Sequence, residues 1–230
     1  MRETALRYLN RNYLLHVDMI EGICRELYDI IYAGEDGVLL ALKGDSGALL
    51  SCNSAQTALR LLEKESYELI GIHQPEYSSI ICRERGYTPW MTCWQAAYTK
   101  KEKLPEVPCD IHLLDSRYLN YICQMYTSES PEYIKERLEA GVVYGIFEGG
   151  KLAGFIGQHA EGAIGLLQVL PEYRRRGYAQ ALESRYINLE LANRYVPYGQ
   201  VVVGNMASRQ LQEKLGMDFA DGCVCWLWKE

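Results

Sequence analysis

Apolar positions recur along this chain with two periods, and each change of period marks the edge of an element. Spacings of three and four over residues 4–27 predict an opening helix. Short apolar runs at residues 28–32, 37–42 and 48–52 predict strands. Gly34-Glu35-Asp36-Gly37 and Gly44-Asp45-Ser46-Gly47 separate them, and both are hairpin-type turns. A helix over 55–64, a strand over 68–72, a helix over 78–85 and a strand over 91–98 follow. Residues 100–108 are charged, aperiodic and punctuated by Pro105 and Pro108, which predicts a linker.

Beyond the linker the pattern predicts a strand over 111–114, helices over 116–126 and 131–140, and strands over 142–148, 151–158 and 164–170. Glu148-Gly149-Gly150 reads as a tight hairpin turn. Gly165, inside the third of these strands, signals a bulge or a close backbone approach. Ala179, Leu182, Tyr186 and Leu189 then fall at helical spacing. A β-branched run at 200–203 leads into a helix with Asn205 as N-cap and Gly216 just past its end. Trp226 and Trp228 alternate with Leu227 on a final strand, placed either in the core or in a pocket wall. The expected division is an N-terminal α/β domain over 1–104 and a second domain over 109–230.

Composition narrows the function classes. The chain has 230 residues, 48% of them apolar, enough for a substantial core. The net charge of −6 argues against general nucleic-acid binding. No apolar run approaches the ~20 residues of a membrane span. Arg2, Glu3, Arg7 and Arg11 make the start unlike a signal peptide, so a cytoplasmic protein without membrane partners is expected. The eight cysteines are scattered without a Cys-x-x-Cys pair, and the four histidines show no ligand spacing. Buried free thiols, and no metal, are the expectation.

Candidate chemistry concentrates in Leu167-Gln168-Val169-Leu170-Pro171-Glu172-Tyr173-Arg174-Arg175-Arg176-Gly177-Tyr178-Ala179. This reads as strand, Pro stop, basic turn and helix start. Such a turn aims backbone N–H groups and a helix N-terminus at one point, an anion site suited to a pyrophosphate. Gly177 allows close approach, and three arginines add charge in an otherwise acidic protein.

The segment resembles the coenzyme A loop of the GNAT N-acyltransferase superfamily, whose pattern is Arg or Gln, two residues, Gly, one residue, then Gly or Ala. Gly204 to Met217, with Lys214-Leu215-Gly216-Met217 closing it, resembles the second signature of that superfamily. The likeness covers roughly residues 110–230, and Leu170-Pro171-Glu172-Tyr173-Arg174 looks closest to the glycine N-acyltransferase group. It implies a GNAT-type mixed sheet flanked by helices in the C-terminal half. It also implies acetyl-CoA or another acyl-CoA as co-substrate, held by Leu167, Val169, Arg174, Arg175, Arg176, Gly177, Tyr178, Ala179 and Asn205. The implied reaction moves the acyl group to a primary amine of a small molecule or amino acid.

Two positions depart from the family pattern. Gln212 stands where many GNAT enzymes carry a Tyr general acid, and Ala163 where the glycine N-acyltransferase group carries a Glu base. Glu161 is the candidate base, with His159 below it and a solvated turn as the plain alternative for both. The departures keep a second reading open, a protein that binds acyl-CoA as a sensor or interaction module without turning it over. Cys82 to Tyr87 followed by Cys93-Trp94 echoes Glu213 to Met217 followed by Cys225-Trp226. The N-terminal half is therefore either a degenerate GNAT-like repeat or an unrelated cap. A homodimer is compatible with the sequence.

Overall fold

The computed structural model describes residues 1–64 and 66–229. The chain forms two compact units, one of Met1–Ala97, Gln200–Arg209 and Asp218–Glu230, the other of Tyr98–Gly199 and Gln210–Met217. Each is α/β, a mixed sheet flanked by helices.

In the first unit the expected opening helix is two, α1 Arg2–Leu9 and α2 Val17–Cys24, with a 3-10 turn at Asn10–Asn12 between them. Asn10 explains the break. Its side-chain N–H donates to the Leu6 carbonyl at 2.7 Å, a local bond that competes with helix propagation. The strands β1 Tyr28–Ala33, β2 Gly37–Leu42 and β3 Gly47–Cys52 form an antiparallel meander. The helix α3 Ala55–Leu61, capped by Ser54 accepting from the Thr57 N–H at 3.1 Å, crosses over to β4 Leu69–Ile72, which runs parallel to β3. The helix α4 Ser78–Arg85 and the strand β5 Thr88–Ala97 follow.

The sheet of this unit is completed from far downstream. The strand β11 Asp218–Trp228 lies between β4 and β5, antiparallel to both, with Cys225 opposite Ile72 on one side and Thr92 on the other. Sequence order had assigned these residues to the C-terminal half; the compact units do not follow that division. Both faces of β11 are buried over residues 224–227. Val224 and Trp226 pack with Leu40, Leu49 and Met19, while Cys225 and Leu227 pack with Leu39, Ile72 and Ile81. A strand apolar on both faces needs a partner on each edge and a layer on each side, and the first unit supplies all four.

The second unit begins with the irregular residues 98–109, and here Leu104 exchanges two hydrogen bonds with the Asn188 side chain at 2.8 and 2.9 Å. Its elements are β6 Asp110–Leu113, α5 Leu119–Met125, α6 Pro131–Glu139, β7 Tyr144–Glu148, β8 Lys151–Gln158, β9 Ile164–Val169 and α7 Tyr178–Ala192. The strand β10 Tyr198–Val202 begins here, and α8 Met206–Leu215 ends here. The antiparallel succession β6, β7, β8, β9 is joined by β10 in parallel at Gly199 opposite Ile164. Leu114, Ile122, Ile134, Leu138, Phe155 and Leu166 form the core on the α5 and α6 face.

The order β1, β2, β3, α3, β4, α4, β5 repeats as β7, β8, β9, α7, β10, α8, β11. This agreement of element type and order favours the repeat over the unrelated cap for the N-terminal half.

Candidate active site

The strand β9 carries the site. Its pairing with β8 passes from Gly157 opposite Gly165 to Phe155 opposite Gln168, so β9 holds one residue more than β8 across that step. That is a β-bulge, as Gly165 suggested. The extra residue is accommodated by Leu166, whose φ is 52° while its side chain stays in the core. Beyond the bulge Leu167 and Val169 are half-buried, and the Leu170 N–H donates to the Ala153 carbonyl at 2.9 Å.

After β9 the chain makes a 3-10 turn at Pro171–Tyr173 and passes through Arg175 at φ 63° and Gly177 at φ 84° into α7. Gly177 is the N-cap residue of this 15-residue helix and offers no side chain to its first turn. The first N–H groups of α7, on Tyr178, Ala179 and Gln180, are those a helix leaves without internal acceptors. A Cβ added at Gly177 would meet no atom within 4 Å, so the space above the turn is open. This is the geometry that favours a phosphate.

The three arginines differ. Arg174 donates through Nε to the Val169 carbonyl at 3.1 Å and leaves its charge exposed, as does Arg175. Arg176 instead holds both carboxylate oxygens of Glu148, at 2.9 and 2.8 Å, and the Tyr178 hydroxyl donates to the same carboxylate at 2.9 Å. Arg176 and Tyr178 thus brace the loop onto β7, and Glu148 offsets the charge of Arg176. Asn205 accepts from the Ser208 N–H at 3.1 Å and caps α8, the role its sequence position predicts.

A second group of side chains gathers at the opposite end of β9, on the hairpin from β8. The Tyr133 hydroxyl, on α6, lies 3.0 Å from His159 Nδ1 and accepts from the Ala160 N–H at 3.1 Å. The helix is held by Ser130, which caps it through the Tyr133 N–H at 3.1 Å. Burial, reinforced by the nearby Glu161 carboxylate, keeps Tyr133 a phenol far above its ordinary range. Burial raises the Glu129 carboxyl too, opposed by His159 and assisted by Glu161. The expected Glu161 therefore sits in a cluster with His159, Tyr133 and Glu129. Tyr133 and Glu129 were not found from the sequence, because a contact across 26 residues leaves no periodic trace.

Gln212 is buried and donates to Glu183 on α7. Burial pushes the Glu183 carboxyl up to about 7, against the lowering effect of that bond. Glu183 had no signal in the sequence either, since carboxylates inside amphipathic helices usually face water. Trp226 lies in the core of the first unit and donates its indole N–H to Gln200 at 2.6 Å, so of its two expected places it takes the core. Among the described residues no group of three or more His, Cys, Asp or Glu side chains is disposed to hold a metal ion. No helix among them is long and apolar enough to cross a membrane.

Comparison with known proteins agrees with this geometry. Residues 143–227 match the family model described as FR47-like protein. The chain is similar in structure to a GCN5-related N-acetyltransferase-like protein from Streptococcus suis, with TM-score 0.59 and 17% identity over 100% of both chains. A GCN5-related N-acetyltransferase from Kribbella flavida gives TM-score 0.59 and 13% identity over 95% of this chain and 96% of its own. A Drosophila protein gives TM-score 0.63 and 17% identity over 95% of this chain and 88% of its own. These likenesses show the GNAT fold. The sequence matches no curated protein.

Proposed function

We propose that this protein transfers an acetyl or other acyl group from acyl-CoA to a primary amine of a small molecule or amino acid. The observation that carries the reading is the open turn at Gly177, where uncapped N–H groups of α7 meet the exposed charge of Arg174 and Arg175. These residues suit a pyrophosphate, and the bulged strand that leads to them suits an extended arm lying along β9. The bound acyl-CoA supplies an activated thioester. The chain's part is to hold the carbonyl against a backbone N–H near the bulge, at Leu167 or Val169, and to align the amine with it. The neutral amine nitrogen bonds to the carbonyl carbon, the C–S bond breaks, and the sulfur leaves as thiolate and takes up a proton. Leu170 to Arg174 supports an acceptor of the glycine N-acyltransferase kind.

Gln212 favours a second reading, since an amide donates no proton as an acid. In that reading the protein binds acyl-CoA without turnover. Calorimetry with acetyl-CoA, then thiol release with pooled amino acids and polyamines, separates the two. Binding with release supports the enzyme, binding without release the sensor, and absence of binding sinks both. The double variant Arg174→Ala, Gly177→Glu should lose binding in either case.

A further inference from the structure

We infer that His159 is the proton acceptor for the attacking amine, seated on the reactive face of β9 by the missing side chain of Gly165 and held there by Tyr133. This rests on the acyltransfer reading above. Gly165 presents one face of β9 immediately before the bulge at Leu166, and Ala163 stands just ahead of the strand. Neither can titrate, so that face needs its base from elsewhere. A Cβ on Gly165 would lie 2.4 Å from His159 Nε2 and 2.5 Å from its Cδ2. The imidazole therefore occupies the volume that a side chain at 165 would fill, and any other residue there would displace the ring.

The hairpin fixes the histidine from its own side. The His159 N–H donates to the Ala163 carbonyl at 2.9 Å, and the Gly162 N–H donates to the His159 carbonyl at 3.0 Å. Tyr133 fixes the ring. Its oxygen already accepts the Ala160 N–H and has a second lone pair for Nδ1–H. With the proton on Nδ1, the Nε2 lone pair is left for the substrate, as the tautomer logic of a general base requires. The charged and titratable groups facing the ring are Glu129 ahead of α6, Tyr133 on α6 and Glu161 in the hairpin, with Arg137 stacked on the Tyr133 ring at 5.5 Å. The carboxylates favour an incoming cationic amine.

The step balances simply. An ammonium gives one proton to Nε2, the freed lone pair forms the C–N bond, and the C–S electrons leave with sulfur. The nitrogen's second proton is lost as the amide forms, and the thiolate is protonated to the free thiol.

The test uses the full chain with acetyl-CoA and a pool of amino acids, putrescine and spermidine. His159→Gln should keep acetyl-CoA affinity while kcat falls about 100-fold or more, the usual worth of a general base. The acidic limb of its kcat/KM profile should flatten, and imidazole added to His159→Gly should restore part of the rate. Tyr133→Phe should keep the limb but shift it, and Glu161→Gln should leave it in place. Nitrogen-15 spectra of the histidine rings provide a readout independent of turnover, with Nδ1 protonated and Nε2 bare expected for His159. Wild-type turnover that His159→Gln leaves unchanged, or an Nε2–H tautomer, overturns the assignment of His159 alone. Binding of acetyl-CoA by the wild type without release of thiol overturns the acyltransfer reading and this inference with it.

Discussion

Glu183→Gln isolates the energetic effect of one buried carboxyl. The side chain lies inside α7 with Oε1 accepting from Gln212, while Oε2 is without a partner and out of contact with solvent. Burial raises its pKa from the ordinary carboxyl value of 4.5 to about 7 on folding. Between those pH values the folded state holds a proton that the unfolded state has released. Stability therefore falls as pH rises through that window, and the full loss is present above about 7. At roughly 1.4 kcal/mol per tenfold change in affinity, the loss is about 3 kcal/mol. Glutamine has the shape of the protonated acid and cannot ionise, so the variant escapes the loss. Urea unfolding at pH 4 should give wild type and Glu183→Gln nearly equal midpoints. At pH 8 the variant should be more stable by about 3 kcal/mol, which at a slope of about 2–3 kcal/mol per molar is a midpoint roughly 1 M higher. A stability difference that does not change between pH 4 and pH 8 would refute the argument, because only a titrating group can produce the change.

Other outcomes follow from the first unit. His16 is buried with Nδ1 2.9 Å from the Leu9 carbonyl and Nε2 2.8 Å from Ser51, and burial, aided by His73, lowers it to about 4. Its folded affinity is depressed, so its contribution is present above 6.5 and is lost toward pH 4. The slope is opposite in sign to that of Glu183, and His16→Gln should flatten it in urea titrations across this range. His73 is buried with one ring nitrogen 3.1 Å from the Leu50 carbonyl and the other 2.9 Å from the Asp18 carboxylate. Asp18→Asn breaks this fully buried pair and should cost about 3–5 kcal/mol in denaturant unfolding. Ser54→Ala removes the cap of α3 and should lower the thermal midpoint by about 2–4 °C, equivalent to roughly 1 kcal/mol.

Much of this architecture could be read from local pattern because most elements are locally specified. The hairpin glycines, the Asn205 cap, the Gly165 bulge and the Arg174 to Ala179 turn each depend on residues within a few positions of one another. Three features could not be read that way. The break at Asn10 depends on one side-chain bond that apolar periodicity does not register. The place of β11 depends on pairing with β4, separated from it by most of the chain. The groups around His159 come from α6 and the hairpin, which only tertiary packing unites. Arg176 shows a related limit, since the motif suggests a ligand contact while Glu148, 28 residues upstream, holds its guanidinium.

The position of β11 also bears on how the protein is made. A ribosome delivers β4 and β5 long before it delivers β11, and residues 98–217 must be synthesised in the interval. Until then two strand edges rich in apolar residues wait with unmet hydrogen bonds, the condition that invites pairing with another nascent chain. At ordinary translation rates of about 5–20 residues per second the interval lasts several seconds or more. The first unit to emerge is thus the last able to finish folding, and its vulnerability in the cell is set by elongation speed and chaperone supply as much as by the strength of its core.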